Sequence, residues 1–310
     1  MERKIIVGYD PAHGGPDVLR LGRVLAEVVA AKPIIVTALP WPNYLMGVKG
    51  LQKQVDAEMQ DRFAVLHEQF ADLDGETRAI ASPSVAEALH ELAEGEGAEA
   101  IVLGSSHRGR IGRTLAGSVG ESLMHGAPCA VAVAPRGYAE RDLIRLVHIA
   151  VAFDGSPEAW AALETAIGTA ERCRGRISVI CVAEDPRYGY STMWSILVSG
   201  EFADHERPEK QRLLELATGR IPAGLEGDGR LLTGDAGTLL AEVSGEFDLM
   251  VAGSRAYGPL RRTLLGSTTR RLISSCACPV LVLPRAAGID PLGLRDPAAA
   301  AGSRLGDRGP

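Results

Sequence analysis

The sequence predicts an α/β protein of two tandem, doubly wound domains, each a parallel sheet with helices on both faces. Three observations predict it. Short β-branched and apolar runs alternate with helical patterns along the chain. A set of landmarks occurs twice in the same order. The length, 310 residues, corresponds to about two domains of roughly 150 residues each.

The repeat is read from three landmarks. "KIIVGYDPAHGG" starts at Lys4 and "HIAVAFDGSPEAW" starts at His148; each is a strand ending in an aspartate and a turn. "VLGSSHRGRIGRTLAGS" (Val102–Ser118) is matched by "VAGSRAYGPLRRTLLGS" (Val251–Ser267). "APCAVAVAPR" is answered by "ACPVLVLPR". Asp10 and Asp154 lie 144 residues apart, and the glycine pairs Gly104/Gly253 and Gly117/Gly266 lie 149 apart.

The elements follow in order. The first domain, 1–136, carries strands near Lys4–Asp10, Pro33–Leu39, Glu76–Ala81, Ala100–Gly104 and Ala130–Ala134. Its first helix places Val18, Leu21, Leu25 and Val28 on one face. Residues 137–146 link the halves. The second domain, 147–285, carries strands near His148–Asp154, Ile177–Val182, Gly229–Thr233, Leu249–Gly253 and Pro279–Leu283. Continuous apolar runs of this length suit strands covered on both faces. Its first helix opens with Ser156 as N-cap and Pro157 at the first position. The segment 286–310, rich in Ala, Gly and Pro without periodicity, reads as a disordered tail. Between the second and third strands of each half an aromatic-rich loop (Trp41, Tyr44; Tyr188, Tyr190, Trp194) precedes a helix. These rings either cover a pocket or pack the helix on the sheet.

Bulk composition narrows the function. Net charge is −6 and pI about 5.7, which argues against a duplex nucleic-acid partner. No apolar run reaches the ~18 residues of a membrane span, and the N-terminus shows no apolar leader region. A cytoplasmic location is the expectation. Cys129, Cys173, Cys181, Cys276 and Cys278 show no CxxC spacing, so they read as reduced, mostly buried thiols.

Ligands of a doubly wound sheet sit beyond the carboxyl ends of the strands. With strands one and four as neighbours, Asp10 shares a crevice with Gly104, and Asp154 with Gly253. A strand-end glycine lets a ligand approach the backbone. The second Gly-Ser opens a helix, whose free N–H groups favour phosphate. Ser118, Ser267 and Thr268 add hydroxyls. Arg108, Arg110, Arg113, Arg255, Arg261 and Arg262 bring positive charge, although such arginines also make ordinary solvated faces. The aspartates suit a base amino group or a ribose hydroxyl. Each half thus reads as a nucleotide site; glycines at strand ends and serines at helix starts also serve purely structural ends.

On these residues, from Lys4 to Arg285, the chain resembles the universal stress protein family. The nucleotide-binding form of that family carries a strand-one Asp and the motif G-x2-G-x9-G-[S/T]. Both halves keep its spacing, from Gly253 to Gly266 and Ser267, and from Gly104 to Gly117 and Ser118. Both replace the middle glycine, with Ala256 and with His107. The resemblance implies a strand order 3-2-1-4-5 in each domain and pairing of domains across the last strand, within the chain or between two chains as a homodimer. It implies ATP as ligand, with magnesium as companion and AMP or cyclic AMP as alternatives. The implied binding set is Asp154, Val182, Gly253, Arg255, Ala256, Gly266, Ser267 and Thr268 in the second half. In the first it is Asp10, Gly104, His107, Gly117, Ser118 and Val119. The second half, with Asp154-Gly155-Ser156 and the smaller Ala256, is the better site. No nucleophile elbow, zinc motif, Walker lysine or carboxylate pair is evident, so the expected role is a stress sensor or regulator and not an enzyme. The alternative is a partner-binding module whose sites have degenerated.

Overall fold

The computed structural model describes residues 2–10, 15–40, 51–69, 75–105, 118–124, 126–141, 145–184, 206–254 and 266–284. The expected tail, the aromatic-rich loops and the arginines named above lie outside the described residues.

The first half runs β1 (Lys4–Gly8), α1 (Gly15–Val29), β2 (Lys32–Pro40), α2 (Leu51–Gln69), β3 (Glu76–Ser82), α3 (Val85–Glu96), β4 (Ala100–Gly104), α4 (Ser118–Met124) and β5 (Ala130–Ala134). The second runs β6 (His148–Phe153), α5 (Pro157–Cys173), β7 (Arg176–Glu184), α6 (206–218), β8 (Gly227–Gly234), α7 (Ala236–Val243), β9 (Leu249–Gly253), α8 (Ser267–Ser275) and β10 (Val280–Leu283). The ten strands among the described residues join one sheet in the order β3-β2-β1-β4-β5-β10-β9-β6-β7-β8. Each half therefore has the order 3-2-1-4-5, parallel throughout. The two meet where β10 lies antiparallel to β5, Leu281 opposite Ala132. In this way two apolar strands that would each be an unprotected sheet edge cover one another.

Strand side chains alternate between two apolar layers. One layer holds Ile5, Val7, Leu21, Val151, Leu163 and Ile167; the other holds Ile6, Ile101, Ile180, Met250 and Leu272. Both faces are covered, so the strands need no polar alternation.

The repeat extends to small details. Both first helices end on a non-glycine residue in the left-handed region, Ala30 (φ 50°) and Arg174 (φ 52°). The serine after each strand-end glycine donates its N–H to the last strand, Ser105 to Ala134 O (3.1 Å) and Ser254 to Leu283 O (2.9 Å). The connection between the halves is tied into the core. It makes a 3-10 turn at Tyr138–Glu140 and buries Tyr138 and Leu146.

Candidate functional site

The site in the second half starts with the turn after β6. Asp154 Oδ1 accepts the Ser156 N–H at 2.8 Å, and Ser156 Oγ accepts the Ala159 N–H at 3.2 Å. This Asx turn feeds an N-cap, with Pro157 at the first turn of α5. Between them Gly155 takes φ +86°, and an added Cβ would come within 3.0 Å of Leu213 on α6. Only glycine holds that turn without strain.

Beyond the strand ends lies a cavity of about 540 Å³. Ala152, Ile180, Val182 and Ala252 provide apolar strand surface. α5 contributes Ala159 and its cap Ser156, α7 contributes Ala236 and Leu240, and α8 contributes Ser267, Thr268, Thr269 and Leu272 behind Gly266. Asp154, Glu184, Glu206 and Lys210 are the charged lining residues among those described.

α8 enters the cavity with its N-terminus. Gly266 precedes it with φ −58° and ψ 146° and offers no side-chain cap. Gly266 O accepts the Arg270 N–H at 2.9 Å, closing the first turn. The N–H groups of that turn therefore have no intrahelical acceptor. No acidic side chain occupies the turn, so the positive end of the helix dipole is not offset by its own residues. Thr269, buried, donates its hydroxyl to Gly253 O at 3.2 Å and locks the helix start to the end of β9.

Six of the predicted residues thus line one cavity: Asp154, Val182, Gly253, Gly266, Ser267 and Thr268. The reason for one of them differs from the sequence expectation. A Cβ on Gly253 would lie 2.6 Å from Glu158 Cβ and 2.8 Å from its carbonyl carbon. The glycine is required by the close seat of α5, whatever else approaches it. Arg255 and Ala256 lie outside the described residues.

In the first half the pairing of β1 with β4 brings Asp10 and Gly104 to the same end of the sheet. Asp10 is exposed there, and Val119 lies half-buried in the first turn of α4. His107, Gly117 and the side chain of Ser118 lie outside the described residues.

Sequence reading missed Glu184, Glu206, Lys210, Ala236 and Leu240. The only local signal was the spacing of Glu206 and Lys210, one helical turn apart on a single face. Glu206 Oε1 accepts the Glu184 N–H at 3.3 Å, which holds α6 to the end of β7. Below the cavity floor the Cys181 thiol is pushed up to about 12, first by burial; Lys210 lowers it and Asp154 raises it.

None of the cysteines lines the cavity. All five are unpaired; Cys129, Cys181, Cys276 and Cys278 are buried and Cys173 is half-buried. Among the described residues no three His, Cys, Asp or Glu side chains converge as metal ligands. No described helix is long and apolar enough to cross a membrane.

Comparison with known proteins agrees with this architecture. The profile of the universal stress protein family matches residues 1–135 and again 147–284. A universal stress protein of Mycobacterium tuberculosis is 25% identical over 296 residues, covering 90% of this chain and 99% of the relative. Another from the same organism is 31% identical over 193 residues, covering 60% of this chain and 61% of its own. The crystal structure of a universal stress protein from Archaeoglobus fulgidus superimposes with a TM-score of 0.64 at 18% identity, over 91% of this chain and 98% of that one, a likeness of fold. With both halves matched, the chain belongs to the universal stress protein family.

Proposed function

We propose that the second half binds ATP or a related adenine nucleotide, and that the chain acts as a sensor or regulator in a stress response and not as an enzyme. The observation that carries this reading is the cavity itself: about 540 Å³ between Asp154 and the uncapped N-terminus of α8. That volume suits a small-molecule ligand. The first N–H groups of α8, with Ser267 and Thr268, would take phosphate. Asp154 would accept from a ribose hydroxyl or a base amino group, and the apolar strand surface around Val182 would seat the base. Arg255 and Ala256 belong to the same proposed set. Magnesium would travel with the phosphates, held by their oxygens and water.

The first half, with Asp10, Gly104, His107, Gly117, Ser118 and Val119, is proposed as a second and weaker site, since His107 replaces a glycine with a ring. We further propose domains at 1–136 and 147–285 that pair with each other within the chain, and a homodimer in which two chains pair as well. The setting proposed is the cytoplasm.

A second reading, a partner-binding module without nucleotide, is favoured by two details. Asp154 already serves its own turn, and Gly253 is accounted for by Glu158. Isothermal titration of ATP, AMP and cyclic AMP into the whole chain and into Gly266→Asp and Gly117→Asp separates the two. The backbone of Gly266 is in a region open to any residue, so its variant adds no backbone strain at that position. Saturable ATP binding abolished by Gly266→Asp supports the sensor. Absence of heat with every nucleotide would leave the module reading.

A further inference from the structure

The cavity is chemically divided. In the sheet order β8-β7-β6-β9-β10, α6 follows β7 and α8 follows β9. β7 and β9 flank β6 and are two strand spacings apart, about 10 Å. The α8 end offers backbone N–H groups and hydroxyls. The β7 end carries Glu184, Glu206 and Lys210, with Asp154, just after β6, between the two ends.

We propose that Lys210 contacts the nucleoside end of the ligand and sets specificity there. The assignment rests on the nucleotide reading above. α6 is fixed from two sides: Glu206 accepts from the backbone of Glu184, and Arg207 Nη1 donates to Thr233 Oγ1 on β8 at 2.8 Å. Behind them Leu214 and Ala217 are buried in the core. Lys210 therefore projects from a rigid base, half-buried at the cavity wall. Among the described lining residues it is the single cation; it shares its end of the cavity with two carboxylates, Glu184 and Glu206, and Asp154 stands between the ends.

Ionised carboxylates only accept hydrogen bonds. They can meet the amino and hydroxyl donors of a nucleoside, but not its ring nitrogens or sugar oxygens. Those acceptors would be desolvated without a partner, at a cost. Lys210 supplies the missing donor. A phosphate seated on α8 is about two strand spacings, about 10 Å, from the β7 end, so base and sugar are the nearer partners for Lys210.

The test is titration of ATP, AMP and adenosine into the full chain, Lys210→Ala and Lys210→Gln, with Gly266→Asp as comparator. Loss of a charged hydrogen bond predicts about tenfold weaker binding or more. The Lys210 variants should weaken all three ligands alike. Gly266→Asp should weaken ATP and AMP and spare adenosine. Melting temperatures confirm that the variants fold, as expected for a half-exposed side chain. Unchanged affinities overturn the assignment, and so does a loss confined to ATP and AMP, which would make Lys210 a phosphate contact. A wild-type chain that binds none of the three would sink the nucleotide reading itself. Wild-type binding with unaltered Lys210 variants would sink this assignment alone.

Discussion

Gly253 and Glu158 meet backbone to backbone, with room for a hydrogen and not for a methyl: an added Cβ would lie 2.6 Å from Glu158 Cβ and 3.0 Å from its carbonyl oxygen. The neighbour is the first turn of α5, so relief requires the helix to move. Gly253→Ala should lower stability by about 1–3 kcal/mol, the usual cost of overpacking. Because Ser156 and Ala159 of the same turn line the cavity, ligand affinity should fall with it. Urea unfolding checks the first part; an unchanged midpoint would show that α5 is not held at this point.

His148 starts β6 of the same sheet, and its proton can be located. The Ser178 hydroxyl donates to Asp228 Oδ1, since a carboxylate can only accept. Ser178 Oγ must then accept from His148 Nε2 at 2.8 Å, which leaves Nδ1 to accept from Arg176 Nη2 at 3.1 Å. Protonating Nδ1 would break that bond and set two cations together. Burial, and then Arg176, hold the imidazole below its ordinary 6.5. The unfolded chain therefore takes up a proton first as pH falls. Stability is complete above 6.5 and declines from there down to the folded value. His148→Gln keeps a donor for Ser178 and an acceptor for Arg176 without titrating. Between about pH 7.5 and about pH 5.5 its melting temperature should fall less than that of the wild type. An equal fall in both would rule this group out as a source of acid sensitivity.

The thiols test burial directly. Burial pushes Cys129, Cys181 and Cys276 up to about 12, and raises Cys278 and Cys173 in the same direction. The thiolate is the reactive form. In native protein near neutral pH, a thiol reagent should label Cys173 first, the half-buried one, and the other four only on unfolding. Rapid labelling of Cys276 or Cys278 in the native state, read by mass spectrometry, would contradict their place in the core.

Much of this was legible in the sequence because the signals are local. Strand, aspartate and Ser-Pro cap are contiguous at Asp154 to Pro157, and the Gly-Ser that opens α8 is likewise a short run. Repetition in the same order at nearly the same spacing then placed both halves. What escaped depends on how elements meet. Glu206 and Lys210 sit on a helix whose inward face is set by its seat against β7 and β8. Nothing in the local spacing says that this face turns toward the strand ends. The clash at Gly253 needs the position of α5, which no residue near Gly253 reports. The polar chain from Arg176 to Asp228 follows from register: Arg176 opposite His148, and Ser178 opposite Asp228.

The last prediction concerns a link across the first half. Asp17, on the first turn of α1, is buried. Its Oδ2 accepts the Gly137 N–H at 3.0 Å and its Oδ1 accepts the Ala139 N–H at 2.8 Å. Those amides open the 3-10 turn that buries Tyr138 between the two halves. Asp17→Ala removes both acceptors and the favourable charge at the helix start, leaving amides beside the core unpaired. A loss of about 1–3 kcal/mol is expected. Asp17→Asn should lose less, because an amide keeps one accepting oxygen. Nucleotide affinity in the second half should stay unchanged in both variants, since Asp17 is on α1 of the first half and does not line that cavity. Chemical unfolding with parallel titration measures the two quantities together. A midpoint unaffected by Asp17→Ala would mean that the connecting turn holds without α1, whereas a lowered midpoint with retained affinity places the carboxylate in the frame of the molecule and outside its site.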